Sequence, residues 1–123
     1  MILLDTSVVI EILKGTPLGS RIQTLIEKEK VAITAITVNE VLTGEEKHRE
    51  MITPFVQSCS ILPFDESAAW KSAEIEQSLY KKGKPLAKLD LYIASISIAN
   101  NLTLVSIDKD FKNVSQLQLI VPS

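Results

Sequence analysis

Five short apolar runs, three to five residues each, are spaced along this chain, and the stretches between most of them are longer and carry apolar residues at helical spacing. The runs are "ILL" (Ile2 to Leu4), "VAI" (Val31 to Ile33), "SIL" (Ser60 to Leu62), "TLVS" (Thr103 to Ser106) and "LQLIV" (Leu117 to Val121). Each reads as a strand. Between them, Ile22, Leu25 and Ile26 form one helical stripe, Trp70, Ala73, Ile75 and Leu79 a second, and Leu89, Ile93, Ile96 and Ala99 a third. Strands alternating with helices predict an α/β domain with a mainly parallel sheet, because parallel strands need crossovers long enough to hold a helix. Trp70 reads as core on this pattern. "KGTP" at Lys14 to Pro17 and "KKGKP" at Lys81 to Pro85 read as loops, both basic.

With 123 residues, 46% of them hydrophobic, the chain is expected to form one domain, residues 1–123, around a substantial core. Thirteen Lys and Arg against fifteen Asp and Glu give a net charge of −2, which excludes proteins that hold nucleic acid by bulk charge. Any nucleic-acid contact must be local. Cys59 is the only cysteine, which rules out an intrachain disulfide or a cysteine-based zinc cluster, and it reads as a core filler. The first apolar run lacks a basic start and is interrupted by Asp5 and Glu11, and no later run reaches membrane-spanning length. A soluble cytoplasmic protein that does not associate with membranes is the expectation.

Four acidic residues stand where strands end or helices begin. Asp5 follows the first strand, at the sheet edge where open α/β folds gather ligands, although a helix cap would also use an Asp there. Glu40 lies in "TVNEVL", where Thr-x-x-Glu also reads as a capping box with Thr37. Asp90 falls in the first turn of an apolar helix, a position the helix dipole favours. Asp108, in "LVSIDKDF" with Ser106 and Asp110, follows the fourth strand, and its charge beside Asp5 calls for a cation between them. Each residue alone has a structural explanation. One shared pocket explains all four, and oxygen ligands without His or Cys suit Mg²⁺ or Mn²⁺ rather than zinc. His48, in the charged segment "GEEKHRE", reads as solvated surface.

The motifs "LDTSVVI", "NEVLTG", "DLYIASISI" and "LVSIDKDF", in this order and spacing, resemble the PIN-domain ribonucleases, and among them the small VapC-type toxins of prokaryotic toxin–antitoxin pairs. The resemblance spans essentially the whole chain. It implies a three-layer α/β/α domain with a mainly parallel five-stranded sheet. It also implies a metal-dependent endoribonuclease with Asp5, Glu40, Asp90 and Asp108 as its acidic quartet and Ser7 and Ser106 as supporting hydroxyls. Ser7 stands where many members have Asn, and Ser106 where Thr is commoner. Asp5, Asp90 and Asp108 would be the chief ligands of Mg²⁺ or Mn²⁺, and Glu40 would complete the sphere or orient water. Asp110 competes with Asp108 for the fourth acidic role. Lys14, Lys82, Lys84 and Lys88 are candidate contacts to RNA phosphates. A cognate antitoxin and a homodimer are the implied partners, with Val9, Ile12 and Leu13 as candidates for the covered surface or for the protein's own core. The alternatives are a PIN fold that binds RNA or a partner without cutting, and a signalling receiver domain with Asp65 as phosphoacceptor.

Overall fold

A computed structural model describes residues 1–44 and 49–123; His48 lies outside the described residues. Strand β1 (Ile2–Leu4) leads through helices α1 (Thr6–Lys14) and α2 (Pro17–Ile26) to β2 (Val31–Thr34). Helices α3 (Ala35–Gly44) and α4 (Arg49–Ser58) then lead to β3 (Ser60–Leu62). After α5 (Glu66–Lys81) and α6 (Lys88–Ala99) come β4 (Thr103–Val105), a 3₁₀ turn (Lys109–Asn113) and β5 (Gln118–Ile120). The strands lie in the order β3-β2-β1-β4-β5, and every neighbouring pair is parallel. The five expected strands are therefore present, with ends shifted by one residue at most in β2, β4 and β5.

Strands of three or four residues are too short to stand alone, so the sheet depends on burial of both faces. The two-residue period of the strands divides their side chains between two cores. Leu4, Ile33 and Val105 point to one face and pack with Val8, Val9, Ile12, Ile22, Val41 and Ile52 from the first four helices. Leu3, Ala32 and Leu104 point to the other, against Ala68, Ile93, Ala94, Ile96 and Phe111. Three layers result. Val9 and Ile12 belong to the protein's own core, while Leu13 is only half-buried and packs against it.

All three helix stripes differ in part from the sequence expectation. Trp70 is 70% exposed, because the buried line of α5 runs through Ala68, Ser72, Ile75 and Leu79, and Trp70 and Ala73 fall off it. Leu25 and Leu89 are likewise exposed, the latter at the very start of α6 before the helix is covered. From Leu91 to Ser97 nearly every α6 residue is buried, and small residues allow that close packing. Its buried hydroxyls are satisfied locally, Ser95 donating to the Leu91 carbonyl at 2.6 Å and Ser97 to the Leu102 carbonyl at 2.9 Å. Cys59 is half-buried beside Phe55 rather than fully in the core. Among the described residues no helix is long and apolar enough to cross a membrane.

The turn from α1 to α2 is tightly specified. Gly15 takes the left-handed conformation at φ 66°, and the Thr16 hydroxyl accepts from the Gly19 amide at 3.0 Å while donating to Glu11 Oε2 at 2.6 Å. The next residue, Pro17, starts α2 where its missing N–H costs nothing. Gly19 lies directly on α1: a Cβ there would sit 2.2 Å from the Glu11 carbonyl oxygen. Gly19→Ala would gain about 1 kcal/mol in helix propensity, but parting two packed helices costs about 1–3 kcal/mol or more. The clash is with rigid backbone, so it wins. Urea denaturation should show a net loss of stability in this variant.

Candidate active site

The chain steps outward from β1 through β2 to β3, then returns across the sheet to place β4 on the other side of β1. Strand order thus reverses between β1 and β4, and a crevice opens at their C-terminal ends. Asp5 is the first residue beyond β1. Its amide donates to the Val105 carbonyl at 2.9 Å, which continues the β1–β4 ladder and sets Asp5 beside Ser106.

The Asp5 side chain is only 3% exposed. Its Oδ2 accepts hydrogen bonds from Ser7 at 2.7 Å and Ser106 at 2.8 Å. Its Oδ1 is buried and accepts none, the single such side-chain atom among the described residues. Helix capping does not account for Asp5: only its backbone carbonyl serves α1, accepting from the Val8 and Val9 amides at 3.0 and 3.1 Å. Ser106 also accepts from the Asp108 amide at 3.0 Å, so one hydroxyl links two of the acids.

Glu40 is not part of a capping box. Helix α3 begins at Ala35, and its cap is Thr34, whose hydroxyl accepts from the Thr37 amide at 3.0 Å. Glu40 is therefore one turn too far along to reach back. Its Oε1 instead accepts from Thr6 on α1 at 2.6 Å, and Thr6 also contacts the Thr37 hydroxyl at 2.9 Å. Thr34 and Thr37 are fully buried. This threonine network escaped the sequence reading, which paired Thr37 with Glu40 only as a capping box.

Asp90, half-buried in the first turn of α6, registers how the acids converge. Its pKa is raised to about 6, first by burial and then by the charges of Asp5, Asp108, Glu40 and Asp110, in that order. Asp110 acts on it least and is exposed, whereas Asp108 is half-buried and accepts from the Asp110 amide at 2.9 Å. Among the described residues, no three His, Cys, Asp or Glu side chains are drawn together tightly enough to hold a metal ion as they stand. Like-charge repulsion opposes a tighter arrangement until a cation offsets it.

The candidate lysines lie outside this cluster. Lys14 lines an apolar cleft of about 230 Å³ together with Leu13, Val41, Ile52 and Glu40. Lys82 and Lys84 are exposed on the loop after α5. Lys88 donates to Glu76 at 2.7 Å and lies 5.6 Å from the ring centre of Tyr92, so it is partly committed to packing α6 on α5. Asp65, the phosphoacceptor of the receiver alternative, caps α5 by accepting from the Ala68 amide at 3.0 Å.

The PIN domain family model matches residues 2–117. The chain belongs to the PIN domain family. It is 27% identical to the tRNA(fMet)-specific endonuclease VapC of Shigella flexneri, over 94% of this chain and 93% of that protein. Toxin FitB of Neisseria gonorrhoeae is 34% identical, over 88% of each. In three dimensions the PIN fold superimposes on the crystal structure of VapBC2 from Rickettsia felis bound to a DNA fragment from their promoter, with a TM-score of 0.84, 28% identity and 98% of both chains covered.

The acidic cluster has a pH signature. Asp90 binds its proton more tightly in the folded chain, near 6, than at the ordinary value of 3.8. As pH falls through about 6 towards about 4, the folded state takes up the proton before the unfolded state does, and stability rises. In chelator, the melting temperature of the wild type relative to Asp90→Asn should therefore climb as pH is lowered from about 7 to about 5. A pH-independent difference would show that Asp90 is not held among like charges.

Proposed function

We propose that the chain is a divalent-metal-dependent endoribonuclease, the toxin of a toxin–antitoxin pair, with residues 1–123 acting as one domain in the cytoplasm. The observation that carries the reading is Asp5 Oδ1, a buried carboxylate oxygen with no hydrogen bond, in the field of other carboxylates. A buried acceptor is rarely left without a partner, and an ion is among the few groups that explain one. The donor set is all oxygen, so it fits Mg²⁺ or Mn²⁺.

On this reading Asp5, Asp90 and Asp108 hold the ion, with Glu40 completing the sphere or orienting water. When bound, the cation activates water and offsets charge on the phosphate and the leaving group. Ser7 and Ser106 occupy Oδ2 of Asp5 and so keep Oδ1 as its ligand atom. Thr6 holds Glu40 by one oxygen, leaving the other free to work. Asp90, titrating near 6, is ionised and available at neutral pH. Lys14, Lys82 and Lys84 are the candidate contacts to RNA phosphates on this reading, and Lys88 contributes less while it is paired with Glu76. An antitoxin protein is one partner, a reading supported by the toxin named FitB and by the VapBC2 complex, and a second copy of the chain is the other partner of the proposal.

Asp5→Asn tests the proposal. The amide keeps the shape and can still accept from the serines, so the fold should survive, and its melting temperature without metal should not fall. Cleavage of total RNA in Mg²⁺ or Mn²⁺ should drop by about 10²-fold or more, as when a charge-positioning group is lost. Chelator should abolish the wild-type activity. Wild-type cleavage by Asp5→Asn, or cleavage that survives chelation, would overturn the reading.

A further inference from the structure

Thr6 opens α1, yet its hydroxyl makes no bond to α1. Both of its partners, Glu40 Oε1 at 2.6 Å and the Thr37 hydroxyl at 2.9 Å, come from α3. The direction of these bonds follows from donor counting. A carboxylate only accepts, so the single Thr6 proton goes to Glu40. The proton between Thr6 and Thr37 must then belong to Thr37, which leaves Thr37 to accept from Thr34 at 3.3 Å. Thr34 in turn accepts from the Thr37 amide at 3.0 Å. Three hydroxyls thus point one way, from the end of β2 to the acidic cluster. Thr34 and Thr37 are fully buried, so no water substitutes for either.

We infer that Thr6 is a positioning residue for Glu40: it pins one carboxylate oxygen at the end of a one-way hydroxyl chain and leaves the other to the acidic cluster. The inference rests on the metal-dependent reading of that cluster. Its physical need is plain, since Glu40 has a flexible side chain in a field of like charge and would otherwise swing towards solvent. A short bond from hydroxyl to carboxylate is among the stronger neutral-to-ion contacts, and the buried hydroxyls behind it polarise it further. Thr6 is the only side chain that donates to the Glu40 carboxylate among the described residues.

The test is a double-mutant cycle of Thr6→Val and Glu40→Gln, with Thr6→Ser as the rescue. Two quantities are read on each folded variant: the Mn²⁺ dissociation constant with the metal alone, and kcat and KM for RNA cleavage. Thr6→Val should weaken Mn²⁺ binding and lower kcat by about tenfold or more, the scale seen when a group that orients a metal ligand is removed, with KM for RNA nearly unchanged. Thr6→Ser should restore both. In the Glu40→Gln background, Thr6→Val should have no further effect on Mn²⁺ affinity, because the carboxylate it positions is gone. Thr37→Val, which removes the upstream donor and leaves Thr6 in place, should show the same signature at smaller amplitude. Equal losses from Thr6→Val in both backgrounds, or wild-type Mn²⁺ binding in Thr6→Val and Thr37→Val, would overturn the inference. Absence of RNA cleavage by the wild type would overturn the nuclease reading instead, while the Mn²⁺ cycle still decides the role of Thr6.

Discussion

Repulsion between carboxylates gathered at one point of a parallel sheet is the constraint around which the site is arranged. Asp5, Glu40, Asp90 and Asp108 come from four separate segments, and Asp90 responds to all of the other three. Folding brings them together although their mutual interaction opposes it. The offsetting stabilisation comes from elsewhere, namely the two apolar cores on either side of the sheet, one built on Leu4, Ile33 and Val105 and the other on Leu3, Ala32 and Leu104. Residues one position apart in a strand serve opposite cores, and the next residue after β1 is the acid. The shortness of the strands is what lets core and site lie this close.

The acids are held in unlike ways. Asp5 is fixed by two serine hydroxyls on one oxygen, and Glu40 by a threonine on one oxygen. Asp108 is tied into its own turn through the Asp110 amide. Asp90 has no such donor among the described residues, and burial, together with the charges around it, raises its proton affinity. Hydrogen bonds to a carboxylate favour its charged form, so an acid without them bears the repulsion of its neighbours directly. The cluster is therefore a set of braced carboxylates facing one unbraced carboxylate, and on the proposed reading a cation would act most strongly on that last member.

Much of this was legible in the sequence. Strand positions followed from short apolar runs, and the acidic quartet from the rule that strand ends and helix starts converge on one edge of a parallel sheet. Trp70 shows where such reading fails: several apolar residues lie at helical spacing in α5, and only the neighbouring layer decides which line is covered. The two readings of Glu40 stay open in sequence for a related reason. Thr34-x-x-Thr37 and Thr37-x-x-Glu40 are both reasonable helix starts in sequence, and the choice belongs to the end of β2, which places Thr34 at the cap. Hydroxyl relays such as Thr34–Thr37–Thr6 join residues distant in the chain, and no local pattern encodes them.

The charge distribution bears on how an acidic protein would engage RNA. With a net charge of −2 and Asp5, Glu40, Asp108 and Asp110 all acting on Asp90, the chain would on the proposed reading meet a polyanion with a negative surface. Of the candidate lysines, Lys88 is bound to Glu76. Counterion release from lysine contacts would then supply only a small part of RNA affinity. On the proposed reading the divalent cation has a second duty besides activating water: it converts a surface that repels phosphate into one that binds it. On that reading metal binding and substrate binding would be coupled in sign, each favouring the other, because the cation offsets the negative charge of both the acids and the phosphate.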